Sequence, residues 1–196
     1  MQRLKRALIW LSRIRYVRGF GIQSPTDYRF VRYVVNEHDP YYKYEELETA
    51  VAPLDPLTRK LCCLYFRLSN YCQSEVFVDV LPSTSAYATY VKAACAKTFA
   101  YTVERCDVQL QMNTDKALLA RITWQKGVEP IGRSLMDHAP DGSVVVVEGI
   151  KSCRDVKRFW ESMIRHPRMG ASYDLYYCGI IIIDNRRYKK NYIINF

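Results

Sequence analysis

Three carboxylates, Asp79, Glu104 and Glu148, stand at or near the ends of segments that read as β-strands. Glu75–Leu81 is a largely apolar run carrying Asp79, Thr98–Val103 leads into Glu104, and Ser143–Val147 leads into Glu148. Between the first two lies Pro82-Ser83-Thr84-Ser85, which opens a helix with Tyr87, Tyr90, Val91, Ala94 and Cys95 at its apolar positions. A strand, a turn and helix, and a second strand ending in an acid form the frame of a nucleoside site. In a doubly wound sheet the ligand sits outside the carboxyl ends of the strands, and the acid closing the second strand accepts hydrogen bonds from two ribose hydroxyls. The plain alternative is that Asp79 and Glu104 are solvated or cap the helix that follows. Ser83-Thr84-Ser85 reads as an N-cap cluster rather than a source of nucleophiles, because no His or acid stands at a spacing that suggests a triad.

The elements that must position these groups follow from periodicity and caps. Asp55-Pro56 starts a helix with Leu57, Leu61, Leu64, Tyr65 and Leu68 on one face through about Tyr71, and it leads into the first strand. After Glu104, Asp107–Leu119 reads as a helix and Ala120–Trp124 as a short strand. Glu129-Pro130 starts a helix to about His138, and the continuous apolar run before Glu148 marks a central parallel strand. Ser152 caps a helix over Val156–Arg165, closed by His166-Pro167. Ala171–Tyr177 and Gly179–Asp184 read as an antiparallel pair, followed by a last strand at Tyr192–Phe196. Glu148 either orients a substrate or caps the next helix.

Composition bounds the class. The chain has 196 residues, 49% of them apolar and 25% charged, enough for one globular domain with a substantial core. Seven scattered cysteines, no Cys-x-x-Cys pair and no histidine in zinc spacing point to buried free thiols in a reducing cytosol and to no metal site. The net charge of +9 is concentrated in one arm. Residues 1–35 hold eight Lys/Arg against Asp27 alone, a local charge of +7. Within this arm Leu4, Ala7, Leu8, Leu11 and Ile14 recur at helical spacing, so a basic amphipathic helix is expected over residues 2–17. Its apolar run Ala7–Leu11 is too short for a membrane span or a signal-peptide core.

That helix has three readings. Its apolar stripe packs on the domain or on a sister subunit in a homo-oligomer, or residues 1–18 lie on an anionic membrane surface, or they track nucleic acid. A cytoplasmic protein, peripheral to a membrane in the second case, is expected. Ser24-Pro25 starts a further helix to about Asn36, with Phe30, Val31, Val34 and Val35 as its apolar face. The stretch from Glu37 to Asp55 turns acidic and crowds Tyr41, Tyr42 and Tyr44 together. A natural division is an extension at 1–56 and an α/β domain at 57–196.

Several motifs carry a resemblance. Arg18-Gly19-Phe20-Gly21-Ile22-Gln23-Ser24-Pro25, then Pro40-Tyr41-Tyr42-Lys43-Tyr44-Glu45-Glu46, and the stretch from His166-Pro167-Arg168 to Ile180 resemble a bacterial subfamily of class I S-adenosylmethionine-dependent methyltransferase-like proteins. The resemblance implies a methyltransferase-like, Rossmann-like sheet, mostly parallel with antiparallel C-terminal strands and an N-terminal helical extension. It implies S-adenosylmethionine as cofactor, with Asp79, Leu81, Ser83, Ser85 and Glu104 at the cofactor positions and Tyr41, Tyr42 and Glu148 on the substrate side. Catalysis by in-line methyl transfer would rest mainly on positioning, so no base is assigned.

The match is degenerate. Leu81 and Ser85 stand where the family has glycines; left-handed geometry at Leu81 costs about 1–2 kcal/mol and its side chain projects into ligand space. Pro82 removes a donor, and Trp124-Gln125-Lys126-Gly127 replaces an acidic turn. Only seventeen residues separate Glu104 from Ile122, too few for the family's third strand with its helices. Weakened or lost cofactor binding is therefore expected, the alternative function being a non-catalytic binding or assembly protein.

Overall fold

The computed structural model describes residues 2–37, 39–108 and 115–196, with side chains from Arg6 onward. Seven strands form one sheet in the order β2-β1-β3-β4-β6-β5-β7. They are β1 (Val76–Val80), β2 (Phe99–Val103), β3 (Leu119–Ile122), β4 (Val144–Glu148), β5 (Met169–Asp174), β6 (Cys178–Ile183) and β7 (Lys190–Ile193). β2, β1, β3 and β4 run parallel; β6 is antiparallel to β4 and β5, and β7 lies parallel to β5. This is the mixed, mostly parallel α/β sheet that the sequence predicts, with β2 at its edge. β7 begins and ends earlier than expected, leaving Ile194–Phe196 beyond the ladder. The helix expected over Asp107–Leu119 falls partly on residues 109–114, outside the described residues, and its last residue belongs to β3.

Helices cover both faces. α4 (Pro56–Cys72) and α5 (Ala86–Ala94) pack on one face, joined there by α2 (Pro25–Phe30) and α3 (Lys43–Ala50). α6 (Glu129–His138) and α7 (Arg154–Ile164) cover the other. Alternation along the strands feeds the two cores: Phe77, Leu119, Val144 and Val146 face α4 and α5, while Val78, Val80, Ala120, Ile122, Val145 and Val147 face α6 and α7. α4 starts as read, with the Asp55 carboxylate accepting from the Leu57 and Thr58 amides at 2.9 and 3.3 Å and Pro56 in the first turn. It stops at Gln73, whose φ of 48° is left-handed. α7 starts earlier than expected, with Cys153 and not Ser152 at the cap position.

The extension is built into the first core. Phe30, Val31, Val34, Val35 and Leu47 are buried with the α4 and α5 residues. α2 is capped by Ser24, continues through a π-helical turn at Val31–Val35, and ends with carbonyls that no helical amide can reach. Arg67 of α4 satisfies them, its Nε donating to Val34 at 2.6 Å and its Nη2 to Val35 at 3.1 Å. Asp27 is buried on the other side of α2, accepting from Tyr173 Oη at 2.6 Å, Tyr192 Oη at 3.0 Å and the Arg187 guanidinium. Burial alone would raise this carboxyl; the Tyr173 and Arg187 hydrogen bonds outweigh it and hold the pKa below the usual aspartate value.

The first segment differs from expectation. α1 covers Gln2–Ser12, and the chain then tightens into a 3₁₀ turn over Ile14–Gly19 in which Tyr16, Val17 and Arg18 leave helical geometry. The predicted stripe does not pack on the domain: Leu8, Leu11 and Ile14 are exposed, and the segment meets the domain through Arg6, Ile9, Trp10 and, just past the helix, Arg13. No helix among the described residues is long and apolar enough to cross a membrane.

Two outcomes follow from this packing. A methyl group added to Gly179 of β6 would stand 2.5 Å from the Trp160 ring, so Gly179→Ala is expected to cost about 1–3 kcal/mol in urea unfolding. Asp27→Asn should cost about 2–3 kcal/mol at neutral pH. Because the folded pKa of Asp27 is depressed, its contribution is present above the unfolded value near ~3.9 and is lost as pH falls through the folded value. The stability gap between wild type and Asp27→Asn, measured across an acid titration, should therefore narrow below about pH 4.

Candidate functional site

The sheet's chain order reverses between β1 and β3, since β1 connects outward to β2 while β3 and β4 follow on the other side. A doubly wound sheet opens a crevice at such a switch point, beyond the carboxyl ends of its strands. A cleft of about 570 Å³ lies there, within the range of small-molecule sites. Its floor comes from Ser83 after β1, Thr123 and Trp124 after β3, and Glu148 and Gly149 at the end of β4. Arg6 and Ile9 of α1 and the first turn of α4 form one wall; Lys151, Ser152 and the turn at Tyr176-Tyr177 form the other.

Beneath the floor sits a charge that the strand patterns did not single out. Arg121 of β3 is 0% exposed, the largest side chain in the structure to be fully buried. Register explains its partner: β1 and β3 align Asp79 with Arg121, and both side chains point to the face of Phe77 and Leu119. The guanidinium Nε donates to Asp79 Oδ1, Nη1 reaches Thr123 Oγ1 at 2.7 Å and Glu148 Oε2 at 3.1 Å, and Nη2 donates to the Val80 carbonyl at 3.1 Å. Its carbon lies 4.6 Å from the centroid of the Tyr87 ring. Tyr65 of α4 donates to Glu148 Oε1 and meets Tyr87 edge to face.

Burial works against each of these charges. For Arg121 it is outweighed by Glu148 and Asp79, which raise the guanidinium pKa and keep it charged. For Asp79 burial pushes the pKa up and Arg121 only partly draws it back. Burial likewise pushes the Cys62 thiol up to about 12 and raises that of Cys178, so these free cysteines near the network are poor nucleophiles. No group of His, Cys, Asp or Glu that could hold a metal occurs among the described residues.

The structure brings together only part of the predicted site. Ser83 and Glu148 line the cleft. Glu148 caps no helix, because α7 begins at Arg154 and the carboxylate is turned to Arg121 and Tyr65. Asp79 is buried below the floor and does not line it. Leu81 adopts the left-handed conformation predicted for it, φ 53°, yet its side chain packs on the α6 and α7 core and not into the cleft. Ser85 occupies the cap position of α5 without a capping bond; Thr84 Oγ1 accepts from the Ala86 amide instead, at 3.2 Å. Glu104 is exposed at the sheet edge, away from the cleft.

The two tyrosines named as substrate-side candidates stand outside the cleft. Tyr41 packs on Tyr44 and Phe66 with ring centroids 5.5 and 5.1 Å away, and Tyr42 is 84% exposed. Neither lines the cleft. Its aromatic lining comes instead from Tyr87, Trp124, Tyr176 and Tyr177, and its cations from Arg6 and Lys151. Lys151 is tied to Asp174 at 2.8 Å, a carboxylate that also accepts from Arg13, just past α1, at 2.8 Å. A charged residue inside the apolar segment Leu119-Ala120-Arg121-Ile122, with acids near the ends of two other strands, was the available signal for the buried network.

Removing one partner of this network leaves an uncompensated buried charge. Arg121→Met is expected to lower stability by about 3–5 kcal/mol, and the double variant Asp79→Leu/Arg121→Met to recover most of that loss; chemical denaturation of the three proteins checks both outcomes. Compared with known proteins, the chain matches no family model, no curated protein and no solved structure, so the meaning of the cleft rests on its own geometry.

Proposed function

We propose that the protein is a non-catalytic binding protein on a methyltransferase-like scaffold, one that has given up S-adenosylmethionine. The scaffold side of this reading is supported by the parallel run of strands closing in an antiparallel pair.

The observation that carries the loss of cofactor is the position of Arg121. S-adenosylmethionine presents a sulfonium cation and an α-ammonium group, which call for accessible carboxylates at the strand ends. Asp79, the acid at the resembling position, is sealed below the cleft floor and bonded to Arg121, and Glu148 is bonded to Arg121 and Tyr65. To bind the ligand's cations, these acceptors would have to release a buried guanidinium, a cost of several kcal/mol. Around the strand ends, Leu81, Cys106, Val108 and Trp124 all pack on the second core, an apolar seam in place of an open turn. Glu104, the ribose-binding candidate, faces solvent away from the cleft. The residues present do not fit the cofactor, and no methyl-transfer step is assigned to them.

What remains is a cleft with aromatic walls, hydroxyls from Ser83 and Thr123, and cations at Arg6 and Lys151. Such a lining suits binding better than chemistry, because both of its carboxylates are already committed, Asp55 to the cap of α4 and Glu148 to Arg121 and Tyr65. Titration calorimetry with S-adenosylmethionine and with S-adenosylhomocysteine is expected to give no binding heat at millimolar ligand. Micromolar affinity for either ligand would overturn the proposal and restore the enzyme reading.

A further inference from the structure

α1 meets the domain with the side opposite to its leucines. At about 100° per residue, Arg6 and Ile9 share one side of the helix, with Arg13 just past its last turn, and Ala7, Leu8 and Leu11 lie across the axis from them. The first side is fixed by polar bonds: Arg13 Nη1 donates to the Asp174 carbonyl at 2.9 Å, Arg13 Nη2 to the Asp174 carboxylate at 2.8 Å, and Asn195 Nδ2 to the Trp10 carbonyl at 3.1 Å. Just beyond the helix, the Asn195 amide donates to the Tyr16 carbonyl at 3.0 Å. These bonds set the rotation of the helix. Trp10 falls on the domain side, lining a small cavity with Asn195 and Phe196. Leu8 and Leu11 are left 59% and 56% exposed, and Ile14 in the following turn 52% exposed. A single exposed leucine is ordinary, but three large aliphatic side chains within seven residues form a patch that needs an occupant.

We infer that this face docks on an anionic lipid surface. The argument is charge complementarity together with burial. Residues 1–35 carry eight cations and one acid, and that acid, Asp27, is buried against Arg187; of the cations, Arg13 is paired with Asp174 and Arg6 stands near Asp55. Arg15 and Arg18 are exposed in the turn that follows the leucines. A second copy would bring an equal positive charge to the same interface, and a nucleic acid would pair with the arginines while leaving the leucines in water. An anionic bilayer accepts both, taking the aliphatic side chains at the headgroup boundary and the arginines on lipid phosphates. The helix lies in the surface plane, since it is too short to cross. Because Arg6 and Ile9 also wall the cleft, docking places the cleft mouth beside the membrane. The inference goes beyond the loss of cofactor and stands independently of it.

The full chain should co-float with vesicles of phosphatidylglycerol and phosphatidylcholine in equal parts, and bind at least about tenfold more weakly to pure phosphatidylcholine or in high salt. Leu8→Glu/Leu11→Glu changes only exposed positions, so its circular dichroism should match wild type while vesicle affinity falls about tenfold or more. Three results would overturn the inference: no flotation with anionic vesicles, equal flotation of the double glutamate variant, or a wild-type dimer in sedimentation equilibrium that this variant dissolves. Polynucleotide binding that survives the two glutamates, with no vesicle binding, would assign the arm to nucleic acid instead.

Discussion

A guanidinium held out of water between two carboxylates organises this molecule. Arg121 joins β1 through Asp79 and β4 through Glu148, and it touches α5 through the face of Tyr87. Tyr65 brings α4 into the same network through Glu148. Three central strands and the helices α4 and α5 are thereby tied at the end of the sheet where a ligand would be expected. The arrangement is not a source of much net stability, since burying three charges costs about as much as their attraction returns. Its effect is specificity of register: sliding β3 by one residue would turn Arg121 into the apolar core under α6 and α7.

A second polar knot does similar work at the far side of the sheet. Asp27 gathers Tyr173 of β5, Tyr192 of β7 and Arg187 from the loop joining β6 to β7, while Arg67 closes the carbonyl end of the π-helical turn. Residues 1–56 are therefore structural partners of the sheet. Between the two knots α1 is strapped on by Arg13 and Asn195, polar bonds doing what apolar burial does elsewhere, which frees its leucines for another surface.

Much of the scaffold was legible because its signals are local. Asp55-Pro56 and Ser24-Pro25 mark helix starts through caps that the structure retains, and the valine run of β4 could only be a buried strand. α3 was not legible: Lys43-Tyr44-Glu45-Glu46-Leu47 offers a single buried apolar position, although Glu45 and Glu46 suit a helix N-terminus. In α1, periodicity disclosed a stripe but not the side that docks, because the docking side is chosen by Asp174 and Asn195, more than 160 residues away. The site suffered in the same way. Asp79 and Arg121 are 42 residues apart and meet only through strand register, and the crowding of Tyr41 and Tyr42 in sequence says nothing about which ring turns inward.

The Arg121 network also constrains how the sequence can change. Exchanging the arginine alone strands an anion in the core, and exchanging one acid alone removes part of what keeps the guanidinium charged. A glycine at position 81 would relax the backbone of the turn without touching these bonds. Exchanges within the network therefore keep stability only when several positions change together. The buried cation locks three strands' residues into one unit of substitution, while the surface and the arm stay free to vary.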